Sequence, residues 1–226
     1  MNLTYYGHSC FAVETGGRTL LFDPFITSNP LASAIDVNAI RADFILVSHA
    51  HQDHLADAAG IAKRTGATLI ASFEVVQWLS KHGVAKAHGV NHGGGAKFDF
   101  GRVKYVNAIH SSSFPDGTYG GNPGGFVVES AEGNFYYSGD TALTMDMKLI
   151  GESTKLAFAV LCVGGNFTMD AADAVKAAAF VQCDSIVGVH YDTFPPIKID
   201  HHEAIKTFEA AGKRLHLLKI GETRKF

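Results

Sequence analysis

The segment Ser48–His54, with the sequence SHAHQDH, concentrates side chains that bind metal ions. It places His49, His51, Asp53 and His54 close together, directly after the apolar run FILV. Neutral imidazoles and carboxylates are common ligands of zinc and similar divalent cations. Residues two apart in extended backbone point the same way, so His49 and His51 can hold one ion together. A turn would then direct Asp53 and His54 toward a second, adjacent ion.

The alternative interpretation of this segment is a solvated loop that happens to be rich in histidine. From the composition of the chain, the pattern H-x-H-x-D-H would arise by chance with odds of roughly two in a thousand, so we treat it as a motif. A pair of ions needs more ligands than the motif supplies. The rest of the chain should therefore contribute further histidines or carboxylates.

Three such residues stand at the ends of apolar runs elsewhere in the chain. His110 ends RVKYVNAIH, Asp140 ends NFYYSGD and His190 ends SIVGVH. Each residue by itself would more often be structural. Together they repeat one arrangement, an apolar strand followed by a ligand, and the crevice of an open α/β sheet lies at the carboxyl ends of its strands. The pattern predicts that they meet the motif in space.

The elements that must position these residues are predicted as short strands and intervening helices. The first strands, NLTYYG, CFAVET and RTLLFD, alternate or carry apolar residues and include a Gly-Gly turn, which is typical of antiparallel hairpins. FILVSH, ATLIAS, LAFAVLCV and SIVGVH are short buried strands, and RLHLLKI is a final strand. Helices are predicted over 55–64, 73–81, 170–181 and 200–211.

Both halves of the chain thus show hairpins first and then buried strands that alternate with helices. Buried strands followed by helices indicate sheets covered on their outer faces. The pattern favours an α/β fold with two mixed β-sheets, which would face each other in a four-layer αββα sandwich. No linker or charge run divides the 226 residues, and we expect one domain over 1–226.

The composition excludes several classes of function. Apolar residues make up 46% of the chain and the net charge is -3, without a block of Lys or Arg, so a nucleic-acid partner is not expected. Three widely spaced cysteines predict no disulfide framework and favour the cytoplasm. No apolar run is long enough to span a bilayer, so no membrane association is expected. The oligomeric state cannot be derived from the sequence.

The motif and the spaced histidine, aspartate and histidine resemble the metallo-β-lactamase superfamily. Within it, the chain is similar to a widespread prokaryotic group of metal-dependent hydrolases related to the ascorbate-6-phosphate lactonase-like branch. The resemblance covers nearly the whole chain and implies the αββα fold. It is carried by the segments GHSCFAVE (7–14), LLFDPF (20–25), SHAHQDH (48–54), NAIHSSS (107–113), YYSGDT (136–141) and NFTMDAADA (166–174).

The resemblance also implies a division of ligands between two metal ions. The first ion would be held by His49, His51 and His110, the second by Asp53, His54 and His190, and Asp140 would bridge the two. Flavodiiron relatives have glutamate at the position of His51, so the histidine favours hydrolysis over reduction of oxygen or nitric oxide. Asp170 departs from the group, which usually has glycine at this position of the substrate loop.

Together, the motif and the resemblance predict a metal-dependent hydrolase that acts on a small-molecule substrate. Two divalent ions, zinc first and manganese, iron or nickel as alternatives, would activate a bridging hydroxide for attack on an ester, lactone or phosphoester. Asp53 would orient the nucleophile as well as bind metal. The open alternatives are a metal-dependent phosphodiesterase or nuclease, a metal-binding protein without turnover, and a redox di-iron protein.

Two residues near strand ends have roles that the sequence leaves open. His8 in GHS could donate a proton to the leaving group or contact the substrate, or it could be a packed histidine that supports the site. Asp23 could orient a ligand histidine through a hydrogen bond or simply form a turn. The remaining histidines are predicted in turns or on the surface: His82, His88, His92, His201, His202 and His216.

Overall fold

The computed structural model describes all 226 residues, which form fourteen strands in two seven-stranded sheets. The first sheet contains β1 (Asn2–Gly7), β2 (Cys10–Thr15), β3 (Arg18–Phe22), β4 (Phe44–Val47), β5 (Thr68–Ser72), β6 (Ala87–Val90) and β14 (Thr223–Lys225). The second sheet contains β7 (Gly95–Phe98), β8 (Gly101–Asn107), β9 (Gly124–Ser130), β10 (Gly133–Tyr137), β11 (Phe158–Cys162), β12 (Ser185–Val189) and β13 (Arg214–His216).

The two sheets repeat one pattern of strand pairing. The first has the order β14-β1-β2-β3-β4-β5-β6 and the second the order β7-β8-β9-β10-β11-β12-β13. In each sheet the first three pairings are antiparallel and the last three are parallel. The inner parallel strands β4, β11 and β12 are short, almost completely buried apolar runs, as expected for strands covered on both faces.

Six helices cover the outer faces of the sheets. They are α1 (Gln52–Leu55), α2 (Ala58–Thr65), α3 (Phe73–Lys81), α4 (Met147–Ser153), α5 (Ala171–Phe180) and α6 (His201–Ala210). Short 3-10 turns occur at Pro30–Ala32, Val37–Ala39 and Pro195–Ile197. None of the helices has the length and apolar character that crossing a bilayer requires.

The buried residues fall into three layers that match this arrangement. Between the sheets, aromatic rings interlock: Phe22 of the first sheet stacks on Phe11 at 4.6 Å and meets Phe135 of the second sheet at 5.7 Å. A second cluster joins the first sheet to α2 and α3, and a third joins the second sheet to α4, α5 and α6. The predicted four-layer αββα sandwich of two mixed sheets is confirmed.

Several boundaries differ from the prediction. The helix predicted over 55–64 is two helices, because Asp57 between them turns its carboxylate to the backbone N–H groups of Ile26 and Thr27. The strand predicted over 214–220 ends at His216. The sequence pattern did not predict β6, β14 or α4. All three are short, β6 and α4 are only partly buried, and β14 is exposed.

Candidate metal centre

The seven predicted ligands all follow strands and lie at one edge of the sandwich. Residues 49–54 follow β4 of the first sheet. His110, Asp140 and His190 follow β8, β10 and β12 of the second sheet. Because these strands run in one direction within each sheet, their carboxyl ends deliver ligands from both sheets to the same crevice.

The first group of ring nitrogens comes from His49, His51 and His110. One ligand atom from each of the three lies within 4.8 Å of the others. His49 Nε2 and His51 Nδ1 are 2.9 Å apart. His49 is buried, whereas His51 and His110 are partly exposed. The spacing H-x-H therefore brings two nitrogens to one point, as the extended backbone predicted.

The second group lies beside the first and comprises Asp53, His54, His190 and His8, again with ligand atoms within 4.8 Å of one another. Asp53 Oδ2 is 3.8 Å from His54 Nε2 and 4.0 Å from His190 Nε2. Helix α1 starts at Gln52, and this turn directs Asp53 and His54 into the second group, although the His54 ring still packs on His49 at 4.2 Å.

Asp140 lies between the two groups. Its Oδ2 atom is 3.6 Å from His110 Nε2 of the first group. The same atom is 3.3 Å from His54 Nε2 and 2.9 Å from His190 Nε2 of the second group. The residue before it, Gly139, has φ +60°, and a Cβ there would come within 2.6 Å of the Gly124 carbonyl oxygen. The close approach of these loops thus requires glycine and fixes the carboxylate in the crevice.

Buried polar atoms in this cluster lack a partner, which tests whether the residues fit a metal ion. His54 Nε2 and Asp140 Oδ1 are both buried without a hydrogen bond. A buried polar group without a partner costs about 1–3 kcal/mol. Both atoms are metal-ligand types, and a cation in the crevice would satisfy them, so the residues fit divalent ions.

The protonation states favour the same conclusion. Burial lowers the pKa of His49 well below its ordinary value and also lowers the pKa values of His51 and His110. These imidazoles are neutral at pH 7, which is the form that binds metal. Burial acts in the same direction on His54, but the carboxylates of Asp140 and Asp53 outweigh it and raise the pKa of His54. The centre therefore carries an excess of buried negative charge that suits cations.

Comparison with known proteins identifies the family. A model of the β-lactamase superfamily domain matches residues 2–190. The chain belongs to the metallo-β-lactamase superfamily. A metal-dependent hydrolase of Flavobacterium johnsoniae is 56% identical over 223 residues, and one of Christiangramia forsetii is 54% identical over 224, each alignment covering 99% of both chains. A solved metallo hydrolase from the archaeon Ignicoccus hospitalis has 35% identity and a TM-score of 0.89, covering 100% of this chain and 98% of that one.

These matches confirm the predicted superfamily and fold. The chain is a member of a family of metal-dependent hydrolases, which is the enzyme class that the motif indicated.

Asp23 is buried beneath the segment Ser48–His54 and hydrogen-bonds to it. Its buried carboxylate accepts four hydrogen bonds: from Ser48 N at 2.7 Å, Ser48 Oγ at 2.5 Å, Tyr137 OH at 2.6 Å and His54 Nδ1 at 2.7 Å. The bond to Nδ1 leaves His54 Nε2 free to face the crevice. A carboxylate in this position fixes the orientation of a ligand imidazole and raises its basicity.

Within the second group, both ring nitrogens of His8 are engaged in hydrogen bonds. Its Nε2 lies 3.0 Å from Asp53 Oδ2, and its Nδ1 lies 2.9 Å from Thr193 Oγ1. A carboxylate only accepts, so Nε2 donates and Nδ1 accepts from the hydroxyl. Burial lowers the pKa of His8 to about 4, which keeps the ring neutral. Of the two roles open from the sequence, this geometry favours the packed histidine that supports the site.

Three non-glycine residues of the centre have left-handed backbone conformations. The φ angles are +55° at His8, +40° at Asp23 and +58° at His190. Such conformations cost on the order of 1–3 kcal/mol each and persist where the surroundings fix them. His190 N donates to the His8 carbonyl oxygen at 2.9 Å, so the two strained residues hold each other in place.

The loop between β8 and β9, residues 108–123, packs against the motif rather than extending into solvent. Ala50 N donates to Ser112 Oγ at 3.1 Å, and Gly124 N donates to the Ser48 carbonyl oxygen at 3.1 Å. Phe114 is buried and stacks on Trp78 of α3 at 4.8 Å. The loop is thus anchored to the first sheet and backs the histidine segment.

The structure keeps the other histidines out of the centre. His82, His88, His201 and His202 are exposed, as predicted. His216 was predicted to be exposed, and this was wrong: it is 5% exposed and its Nε2 lies 3.0 Å from Ser185 Oγ.

Sequence reasoning missed three residues that support the centre: Ser48, Tyr105 and Tyr137. Tyr105 OH donates to the Ser48 carbonyl oxygen at 2.7 Å. Both tyrosines stood in predicted strands. A buried tyrosine hydroxyl normally has a hydrogen-bond partner, so a tyrosine in a predicted buried strand was the available sign of a supporting contact.

Proposed function

We propose that this protein is a dinuclear metal-dependent hydrolase of a small molecule. The observation that carries the proposal is the position of Asp140, whose Oδ2 atom lies within 3.6 Å of ring nitrogens from both ligand groups. The first ion would be held by one group and the second by the other, with Asp140 shared. The proposed ligands are His49, His51 and His110 for the first ion, and Asp53, His54 and His190 for the second.

When bound, divalent ions supply Lewis acidity and a nucleophile made from water at neutral pH. The side chains determine where that chemistry is directed. Asp53 is the most exposed member of the second group, with 28% of its side chain accessible, so it faces the entering substrate and can orient water. His8 and Thr193 hold Asp53 in place from behind.

The proposed reaction is the hydrolysis of an ester, a lactone or a phosphoester in a single domain, 1–226. Zinc is the proposed metal because neutral imidazoles dominate the ligand set, and manganese, iron and nickel are the alternatives. A net charge of -3 disfavours a nucleic-acid substrate. Three free, buried cysteines suit the cytoplasm, where we propose that the protein acts.

Metal analysis together with a substrate panel tests this proposal. We expect about two ions per chain and turnover of neutral lactones, p-nitrophenyl esters or p-nitrophenyl phosphodiesters. His49→Ala should lose both metal and turnover, because it removes a buried ligand of the first ion. His202→Ala, at an exposed position on α6, serves as the matched control and should keep both.

Two outcomes would contradict the proposal. Full activity of His49→Ala after metal depletion would show that turnover does not depend on this centre. Two ions per chain with no hydrolysis of any probe would favour a metal-binding protein without turnover.

A further inference from the structure

We propose that the substrate presents an uncharged, apolar acyl group to the rim of the metal centre, so that neutral esters or lactones are preferred over phosphorylated or carboxylated ones. Phe167 and Ile109 are the proposed contacts. This inference rests on the proposed hydrolase function and specifies its substrate class.

The loop after β11, residues 163–170, lies at the centre of the ligand-bearing edge but supplies no ligand. In the second sheet, β11 pairs in parallel with β10 on one side and β12 on the other. The loops after those two neighbours carry Asp140 and His190. A Cβ on Gly164 would come within 2.1 Å of the His190 carbonyl oxygen, so the loop starts in direct contact with the centre. Its position therefore suits contact with substrate.

At the tip of this loop, Phe167 points an exposed aromatic ring away from the core. It is 55% exposed, although the neighbouring Met169 is 1% exposed. The tip is a tight turn in which Asn166 has φ +56° and Phe167 N donates to the Gly165 carbonyl oxygen at 2.6 Å. A tight turn of the backbone thus presents the exposed Phe167 ring at the rim, where it can contact an apolar group of the substrate.

Ile109 is joined to this loop through Thr141. Ile109 directly precedes His110 and is 53% exposed. Its N–H donates to Thr141 Oγ1 at 2.9 Å, and Met169 N donates to the Thr141 carbonyl oxygen at 3.0 Å. Thr141 is fully buried and follows Asp140 directly. The segments that present Ile109 and Phe167 are therefore fixed to each other and to the bridging carboxylate.

The charges around the crevice argue against an anionic substrate group beyond the reacting bond. The loops that adjoin the ligands contain none of the 19 Lys and Arg residues, whereas five acidic residues outside the ligand set lie in them: Asp23, Asp116, Asp146, Asp170 and Asp192. Phosphate sites normally use arginine or lysine. The loops concerned are 23–31, 48–54, 108–123, 138–146, 163–170 and 190–197. Lys198 follows the last of them and Lys219 lies in the loop after β13, and both side chains are exposed.

The helix N-terminus nearest Phe167, which could otherwise bind a phosphate, is capped by a carboxylate of the chain. Helix α5 starts at the end of the Phe167 loop, and the Asp170 carboxylate accepts a hydrogen bond from Asp173 N at 2.9 Å. A helix N-terminus attracts anions, so this carboxylate already fills the place that a substrate phosphate would take. Lys148, just beyond the rim, lies over the Phe180 ring at 4.9 Å and faces α5.

A matched pair of lactones tests the charge preference in the metal-loaded protein. γ-Valerolactone carries a methyl group on the γ carbon of its ring. Its matched partner is the γ-butyrolactone with a carboxylate on that carbon, so the two differ only in this substituent. We expect kcat/KM to be at least 10-fold higher for the neutral lactone. A preference for the carboxylated lactone, or for p-nitrophenyl phosphate over p-nitrophenyl butyrate, would overturn the inference and leave the hydrolase standing.

Alkyl hydroxamates of increasing length test the apolar contact without turnover. Hydroxamates chelate metal ions, so their affinity for the metal-loaded protein, measured by calorimetry, reports on the contact of the tail with the rim. We expect the affinity to rise about 3- to 4-fold for each CH₂ added over the first few carbons. This is the factor that corresponds to complete burial of about one CH₂ group at a time. Phe167→Ala should flatten this rise, and Phe73→Ala, at an equally exposed phenylalanine on α3, should leave it unchanged.

The result with Phe167→Ala decides the assignment. An unchanged rise with tail length in that variant would overturn the role of Phe167. Phe167→Ala could also change the oligomeric state while the affinity still rises with tail length as in the wild type. That result would show that a second copy of the chain covers the Phe167 ring, and it would also overturn the role of Phe167 in substrate binding. If hydroxamate affinity rises with tail length as expected but no probe is hydrolysed, the proposed hydrolase function is refuted and the apolar contact at the rim still stands.

Discussion

Asp23→Asn is the substitution that most directly tests how the second ligand group is oriented. Three of the four hydrogen bonds to Asp23 go to Oδ2, from Ser48 Oγ, His54 Nδ1 and Tyr137 OH, and one goes to Oδ1 from Ser48 N. An asparagine can keep its oxygen at the Oδ2 position and so keep the bond to His54. Its NH₂ group then faces Ser48 N–H, and the negative charge behind the imidazole is lost.

The expected effect is a loss of metal affinity with the fold retained. Removing a carboxylate behind a ligand histidine typically weakens metal binding 10- to 100-fold, which is about 1.4–2.7 kcal/mol. The opposed N–H groups should also lower the free energy of unfolding of the metal-free protein by about 1–3 kcal/mol. Competition with a chromophoric chelator measures the affinity, and denaturant unfolding of the metal-free protein measures the stability.

Asp57→Asn is the matched control for this substitution. Asp57 also accepts two hydrogen bonds, from the N–H groups of Ile26 and Thr27, but it contacts none of the proposed ligands. Both of these bonds go to Oδ2, so an asparagine oxygen can keep them, and the control should keep metal affinity. If Asp23→Asn binds metal as tightly as the wild type, then Asp23 does not tune His54, and the reasoning about the support of the centre is refuted.

Three further predictions concern the bridge, the loop and the pH dependence of stability. Asp140→Ala should reduce the metal content of the purified protein below one ion per chain, because the shared carboxylate is lost to both ions; retention of two ions would contradict the bridging role. Phe114→Ala should lower the free energy of unfolding by about 3–5 kcal/mol and change the emission of Trp78, on which the ring stacks; unchanged emission would show that the loop is not anchored there. Burial lowers the pKa of His216 to about 4, below its ordinary 6.5, so the unfolded state binds more protons between these values and stability falls as the pH drops from 6.5 to 4. His216→Gln should reduce this loss by on the order of 1–3 kcal/mol in denaturant titrations at pH 7 and pH 4.5, and an identical pH dependence in both proteins would contradict the assignment.

The ligand-bearing edge could be predicted because its signals are local. His49, His51, Asp53 and His54 lie in one segment, and His110, Asp140 and His190 each end an apolar run. The structure brings all seven together, since strands of the two sheets end at one crevice. Strand periodicity and strand-end placement depend on neighbouring residues only, and a single sequence carries that information.

The supporting contacts could not be predicted, because they join residues far apart in the chain. Tyr137 reaches Asp23 across 114 positions, and Thr193 reaches His8 across 185. Strand β14 has the sequence TRK and no apolar pattern, and it pairs with β1 only because the end of the chain returns to the first sheet. Such contacts follow from the assembled fold, in which local propensity is overridden by packing.

The central claim is that two adjacent ions share Asp140. Anomalous X-ray diffraction from crystals of the zinc-loaded protein tests it most directly. The account predicts two anomalous peaks, one among His49, His51 and His110 and one among Asp53, His54 and His190, each about 2.0–2.2 Å from its ligand atoms and both in contact with Asp140. A single peak at full zinc occupancy, or peaks away from these residues, would contradict it.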